Sequence, residues 1–160
     1  MAEFVVTDAT QMRELGKLLA MQLADGDVVV LSGPLGAGKT TFSQGIGTGL
    51  GLEDSITSPT FVVARSHQPG TRNLGLLHVD AYRLSHADDL IDLDIDSELP
   101  HITLIEWGEN FVEKITDSWV AVKIERSSDG DLDAPEAGDR RVTITTHGPR
   151  WEERHFEVVS

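Results

Sequence analysis

The sequence predicts an α/β fold in which helices cover both faces of a mixed, mainly parallel central sheet. The first observation is an uninterrupted apolar run, Val28–Leu31, which is followed at once by a glycine-rich segment and then by a helical pattern. The second is a pair of later strand-like segments, residues 76–79 and 102–105, which are mainly apolar and are each followed by a carboxylate. Uninterrupted apolar runs are typical of strands covered on both faces, and strands that alternate with helices favour parallel pairing.

Two helices are predicted in the first third of the chain. After a short strand at residues 3–6, Thr7 or Asp8 can cap a helix, and Asp25-Gly26 is predicted to end it. The apolar residues of this helix recur at helical spacing, and they are Met12, Leu15, Leu18, Leu19 and Leu23. The second helix is predicted over residues 39–50. It should bury Phe42, Ile46 and Leu50.

The middle of the chain is predicted to contain a hairpin and a third helix. A strand is expected at residues 61–64, and the polar stretch of residues 66–73 is expected to connect it to the next strand. Ser85 begins a segment, residues 85–90, that reads as a capped helix.

The last third is predicted to hold two antiparallel strands, at residues 119–124 and 142–146. The acidic, glycine-containing stretch between them, residues 127–139, is predicted to be a mobile surface loop. No internal repeat or linker divides the chain into two cores. We therefore predict one domain spanning residues 1–160, a length typical of a single core.

The glycine-rich segment carries the most specific chemical signal. Residues 33–40 match the pattern G-x-x-x-x-G-K-[ST] at every fixed position, and they lie between a strand and a helix as the pattern requires. Loop N–H groups and the helix N-terminus then converge on phosphate oxygens. This predicts a P-loop NTPase-like, three-layer fold, with nucleotide bound by Gly33, Leu35, Gly36, Ala37, Gly38, Lys39, Thr40 and Thr41. Lys39 should reach the terminal phosphates, and the Thr40 hydroxyl should bind magnesium.

Two carboxylates are candidates for the rest of the metal site. Asp80 and Glu106 each end an apolar strand, and magnesium usually takes one or two carboxylate ligands beside the phosphates of its nucleotide. One carboxylate could hold the ion while the other orients the attacking water. The base is predicted to be adenine, because the chain has no Asn-Lys pair of the kind that many guanine-specific loops use.

Composition limits the partners of this chain. It has 13 Lys and Arg residues against 27 Asp and Glu residues, a net charge of −14. Proteins that hold nucleic acid unaided usually present a basic surface, so any RNA is expected to be held by a partner. The chain lacks cysteine, a signal peptide and any apolar run of bilayer length. We therefore expect a cytoplasmic protein that does not enter a membrane.

Three further segments complete a family pattern with the phosphate loop. They are Thr57-Ser58-Pro59-Thr60-Phe61, His78-Val79-Asp80-Ala81-Tyr82-Arg83-Leu84 and Ile105-Glu106-Trp107-Gly108-Glu109. In this order they resemble the TsaE (YjeE) family of small bacterial ATPases, over about residues 8–125. The resemblance implies Mg²⁺-dependent ATP hydrolysis in the threonylcarbamoyl modification of a tRNA adenosine, with TsaB and TsaD as partners.

The resemblance also implies roles for particular residues. Glu106 would be the magnesium carboxylate with Thr40, Asp80 would serve hydrolysis together with Lys39, and Trp107 would be a functionally important aromatic residue. Thr60 would lie in a switch segment that senses the terminal phosphate. The adenine contact would lie near the start of the first helix, at Ala9 or Thr10.

Two other functions remain open from the sequence. In a small phosphotransferase, Asp80 would accept a proton from a substrate hydroxyl. In a nucleotide-gated binding module, ATP would organise a docking surface and hydrolysis would only reset it. Read without the family, Trp107 is a core aromatic residue and His78 a hydrogen-bonded strand histidine.

Overall fold

The structure is a computed structural model. It describes residues 1–34, 36–53, 56, 64–81, 100–109, 112–126, 139–152 and 154. The strands of this described part are β1 (Ala2–Val6), β2 (Val28–Ser32), β3 (Ala64–His67), β4 (Gly75–Asp80), β5 (His101–Glu106), β6 (Trp119–Arg126) and β7 (Arg140–His147). Its helices are α1 (Ala9–Ala20), α2 (Lys39–Leu50), α3 (Val112–Ile115) and α4 (Pro149–Glu152). The predicted helix at residues 85–90 and the acidic stretch of residues 127–138 lie outside the described residues.

The seven described strands form one sheet in the order β1-β7-β6-β2-β5-β4-β3. The four central strands, β6, β2, β5 and β4, run parallel to one another. The pairs β1–β7, β6–β7 and β3–β4 are antiparallel. This confirms the predicted α/β fold with a mixed sheet whose centre is parallel, and it confirms the antiparallel pairing of the two late strands.

Apolar side chains pack on both faces of the sheet. Successive residues of a strand point to opposite faces, and β4 shows the division: Leu76 belongs to the large core beneath α1 and α2, whereas Leu77 and Val79 belong to a smaller cluster. The smaller cluster includes Ile115 of α3 at its edge. Because the sheet is covered on both sides, the residues of β2 can form the uninterrupted apolar run Val28–Leu31.

Glycines bring α1 and α2 into close backbone contact. A β-carbon at Gly45 would lie 2.1 Å from the Arg13 carbonyl oxygen, and one at Gly16 would lie 2.3 Å from the Phe42 carbonyl oxygen. Neither position can therefore carry a side chain without separating the helices. This contact fixes the N-terminal end of α1 relative to α2, and so relative to the phosphate loop that leads into α2.

The end of α1 differs from the prediction. The helix ends at Ala20 rather than at Asp25-Gly26, and Leu23 lies in a tight turn beyond it. The Arg72 guanidinium donates to the carbonyl oxygens of Ala20 and Leu23, at 2.7 and 3.3 Å. The helix end is thus satisfied by a side chain distant in sequence, which local periodicity does not reveal.

The predicted hairpin connection is also partly wrong. Residues 66–73 were expected to be a loop, but β3 continues through His67, which pairs with Leu76 of β4. Antiparallel pairing with a buried strand thus extends β3 into a polar stretch. Residues 61–63 of the predicted strand lie outside the described residues.

Among the residues that the structure describes, no helix is both long and apolar enough to cross a membrane.

Candidate nucleotide-binding site

The phosphate loop connects the end of β2 to the start of α2. Gly33, Gly36 and Gly38 have φ angles of 154°, 78° and 111°, values that favour glycine because a β-carbon would be strained there. At Gly33 a β-carbon would also lie only 2.6 Å from the Ile124 carbonyl oxygen of β6. The loop therefore needs glycine for its backbone path. The described loop residues lie between a strand and a helix, while Leu35 lies outside the described residues.

Lys39 is buried at the first position of α2. Its Nζ donates to the carbonyl oxygen of Gly33, at 2.6 Å, so the ammonium group connects the end of the phosphate loop to its beginning. Burial lowers the pKa of Lys39, and the nearby carboxylates of Glu106, Asp80 and Glu109 oppose that effect. The predicted lysine and both predicted carboxylates are therefore close enough to interact electrostatically.

The two carboxylates lie side by side at the carboxyl ends of neighbouring strands. Asp80 of β4 and Glu106 of β5 are directly paired in the parallel register. Glu106 is buried, and its Oε2 lies 3.2 Å from Nε2 of the fully buried His78. Neither ring nitrogen of His78 has a hydrogen-bond partner among the described residues, so this contact is a close approach and not a hydrogen bond. The hydrogen-bonded strand histidine expected from the sequence is therefore not found.

Trp107 follows Glu106 in an unusual backbone conformation. Its φ is 62°, a left-handed value that is a genuine outlier for a bulky residue. Its N–H donates to the Leu31 carbonyl oxygen of β2, at 3.3 Å, and its ring receives the Lys39 ammonium 3.8 Å from the ring centroid. Trp107 is half-buried beside the lysine, so it is not simply a core aromatic residue.

A cavity of about 450 Å³ adjoins the phosphate loop. It is lined by the segment from Val6 to Ala9, by Met12, by loop and α2 residues 36–41 including Thr40 and Thr41, and by Arg140. Of the two candidates for an adenine contact, Ala9 lines this cavity, and Thr10 is not among the described residues that do. Lys39 lines the cavity and also contacts Trp107, so it links the cavity to the carboxylates.

The cavity wall at the start of α1 is held by local hydrogen bonds. Asp8 caps the helix, accepting from the Gln11 N–H at 2.8 Å, and the Gln11 side-chain oxygen accepts from both the N–H and the hydroxyl of Thr7. Such reciprocal capping fixes the path by which the chain enters a helix.

The oxygen groups present suit magnesium bound together with phosphate. Within the described residues no cluster of three or more His, Cys, Asp or Glu side chains could hold a metal alone. Mg²⁺ instead uses one or two carboxylates with waters and substrate phosphates, and Thr40, Glu106 and Asp80 supply a hydroxyl and two carboxylates. The donor set therefore fits an ion that arrives with its nucleotide.

Two predicted site residues, Leu35 and Thr60, lie outside the described residues, and the sequence did not predict one residue that contacts the loop. Thr60 and the rest of the segment from residue 57 to residue 61 lie outside the described residues. Arg140, to which the sequence assigns no role, is buried against the loop. No local motif marks it, because its contacts are about a hundred residues away in sequence.

The model of one protein family, described as Threonylcarbamoyl adenosine biosynthesis protein TsaE, matches residues 6–134. This chain belongs to the TsaE family. The resemblance seen in the sequence motifs is thereby confirmed. The range matched by the TsaE model includes the phosphate loop, Asp80, Glu106 and Trp107, and it ends before β7, so Arg140 lies outside it.

Individual TsaE proteins match most of the chain. A Streptomyces coelicolor protein named "tRNA threonylcarbamoyladenosine biosynthesis protein TsaE" is 45% identical over 93% of this chain and 99% of its own length. The Bacillus subtilis protein of the same name is 33% identical over 88% of this chain and 82% of its own. The crystal structure of Bacillus subtilis YdiB superimposes with a TM-score of 0.70 at 30% identity, covering 94% of this chain and 88% of that one.

Proposed function

We propose that residues 1–160 form one magnesium-dependent ATPase domain that serves tRNA N6-threonylcarbamoyladenosine biosynthesis in the cytoplasm, together with TsaB and TsaD. The observation that carries the ATPase proposal is the position of Lys39. It lies at the junction of a glycine loop, a nucleoside-sized cavity and a pair of strand-end carboxylates. The pathway follows from family membership and from the names of the relatives.

In this proposal each part of the site takes a separate task. The loop N–H groups and Lys39 hold the phosphates, while the cavity beside Ala9 and Met12 holds the nucleoside. Thr40 and Glu106 would hold Mg²⁺, which supplies charge neutralisation at the terminal phosphate. Mutual repulsion between Asp80 and Glu106 is relieved by the nearby Lys39 ammonium and by bound cation.

Hydrolysis then requires a correctly placed water molecule. Asp80 lies at the end of β4, next to Glu106 at the end of β5. It would accept a hydrogen bond from the water molecule that attacks the terminal phosphate in line. The charge that develops on the phosphoryl oxygens is stabilised by Lys39 and by preorganised loop amides. When nucleotide binds, the Lys39 ammonium must donate to phosphate oxygens. It would do so either in place of its hydrogen bond to the Gly33 carbonyl oxygen or in addition to that bond.

The acidity of the chain supports an indirect relation to tRNA. With a net charge of −14, the surface has little capacity to neutralise phosphates. The partner proteins would therefore hold the RNA. ATP binding would strengthen docking to them, and by thermodynamic reciprocity docking would strengthen ATP binding by the same factor.

The decisive experiment measures phosphate release from Mg-ATP by the isolated chain and after addition of a TsaB–TsaD pair. We expect slow release that rises with the pair, loss of release in Asp80→Asn, and ATP-dependent co-purification with the pair. Transfer of phosphate to a small hydroxyl compound would show a kinase instead, and tight binding without turnover would show a binding module. Sub-micromolar tRNA binding by the chain alone at physiological salt would contradict the indirect role.

A further inference from the structure

Arg140 connects β7 to the phosphate loop. It is the first residue of β7, and it is paired in register with Val6 of β1 and with Arg126 of β6. Its side chain is buried. Nε donates to the Ala37 carbonyl oxygen at 3.2 Å, and Nη2 donates to the Gly36 carbonyl oxygen at 3.4 Å. One guanidinium thus contacts two successive peptide groups of the loop.

These contacts determine where the loop N–H groups point. A peptide group is planar and trans, so its C=O and N–H point in opposite directions. Holding the Ala37 carbonyl oxygen therefore directs the Gly38 N–H away from Arg140. The peptide between Gly36 and Ala37 is fixed at both ends, since the Ala37 N–H donates to the Pro34 carbonyl oxygen at 3.1 Å. The fork of an arginine suits two carbonyl groups better than a single ammonium would.

We propose that Arg140 is a positioning residue for nucleotide binding: by holding two successive peptide planes of the phosphate loop, it directs the Gly38 N–H toward the phosphates. This inference rests on the proposed nucleotide function, because a loop that bound no phosphate would have no need of the orientation. Arg140 acts through the loop amides, and it also lines the cavity beside them.

The electrostatic environment of Arg140 would respond to a bound anion. Burial lowers the pKa of the Arg140 guanidinium, and the neighbouring Arg126 lowers it further. Phosphate groups bound at the adjacent loop would favour the charged form of Arg140.

The test compares Arg140→Gln with Arg141→Gln. Arg141 is the next residue of the same strand, but it is exposed and pairs with Glu3 at 3.0 Å, so its replacement changes the net charge equally without touching the loop. Calorimetric titration with Mg-ADP and Mg-ATP should show at least about a tenfold loss of affinity for both nucleotides in Arg140→Gln. Arg141→Gln should bind as wild type does.

A second readout separates positioning from simple support of the fold. In nucleotide-free protein, Arg140→Gln should shift the amide NMR resonances of residues 36–38 while its thermal midpoint stays near that of wild type. Arg140→Lys keeps the charge but cannot span both carbonyl groups, so its affinity should be intermediate. If Arg140→Gln does not fold, the nucleotide affinities of Arg140→Lys and Arg141→Lys are compared instead.

The outcomes distinguish this inference from the function on which it rests. Wild-type protein that binds neither nucleotide would refute the proposed function. Wild-type binding with unchanged affinity in Arg140→Gln and Arg140→Lys would overturn the role of Arg140 alone. A loss confined to Mg-ATP would also overturn it, because oriented loop amides should serve the phosphates of ADP as well.

Discussion

The ammonium of Lys39 lies over the indole ring of Trp107, with Nζ 3.8 Å from the ring centroid. This contact joins the start of α2 to the residue that follows β5, and thus joins the phosphate-binding side of the site to the carboxylate side. The tryptophan is held there in a left-handed backbone conformation. Such strain persists only where the surrounding structure enforces it, and it is frequent at ligand sites.

We expect the fluorescence of Trp107 to report nucleotide binding. If Mg-ATP draws the Lys39 ammonium toward the phosphates, the charge over the ring changes and the tryptophan emission should change with it. Titration of wild-type protein with Mg-ATP measures this. The change should be absent in Trp107→Phe, although Trp119 and Trp151 remain. An equal change in the variant would place the signal elsewhere.

Replacing Lys39 with methionine should abolish nucleotide binding without destabilising the fold. The pKa of Lys39 is lowered by burial, so the charged form is less stable in the folded than in the unfolded protein. Removing the charge should leave the thermal midpoint equal or higher at neutral pH, while the upward shift caused by Mg-ATP is lost.

The difference in stability between Lys39→Met and wild type should depend on pH in a defined direction. The folded pKa of Lys39 lies below its usual value of 10.5, so the destabilisation is fully present below the folded pKa and disappears as pH rises toward 10.5. The stability advantage of Lys39→Met should therefore shrink with rising pH. A variant that is markedly less stable at neutral pH, or one whose midpoint still rises with Mg-ATP, would contradict this account.

The two carboxylates should have separable effects. Glu106→Gln should raise the magnesium concentration needed for ATP binding, because it removes the charge of a metal ligand. Asp80→Asn should lower the rate of phosphate release, by about a hundredfold or more, with a smaller effect on ATP affinity. Magnesium titrations of binding and of turnover distinguish the two. If Glu106→Gln and wild type give superimposable magnesium curves, Asp80 becomes the metal ligand.

The C-terminal segment should contribute to stability and not to the site. Asp27 has a fully buried side chain that pairs with Arg150 at 2.6 Å and with Arg154 at 2.9 Å. The side chains of Arg150 and Arg154 are 41% and 30% exposed, so water can solvate the cations that remain when Asp27 is removed. We expect Asp27→Ala to lower the free energy of unfolding in urea by about 2 kcal/mol, the contribution typical of hydrogen bonds to a charged group, and to leave the Mg-ADP affinity of the folded protein unchanged. A parallel loss of affinity would show that this ion pair shapes the nucleotide site.

The features predicted well from sequence are those that depend on neighbouring residues. Helix α2 begins at Lys39 and ends at Leu50 as predicted, because the phosphate loop sets its start and Gly51 its end. Asp80 and Glu106 meet because equal positions at the ends of two parallel strands become paired residues.

The features that the sequence did not reveal depend on distant contacts. Arg72, which is distant in sequence, donates to carbonyl oxygens at the end of α1. Arg140 of β7 contacts the phosphate loop. The glycines of α1 and α2 permit a close helix contact that periodicity does not specify. Each of these requires knowledge of which elements are adjacent in space. A residue type alone gave no indication of them.

The position of β7 has a consequence for how the chain acquires its structure during translation. Strand β1 leaves the ribosome well before its partner in the sheet, β7, which begins at residue 140. At about 5–20 residues per second, β1 waits on the order of ten seconds for that partner. The phosphate loop waits for Arg140 while about a hundred further residues are added. A nascent chain is thus expected to gain its full ATP affinity only after β7 has been synthesised, which would delay any ATP-dependent engagement with partner proteins until then.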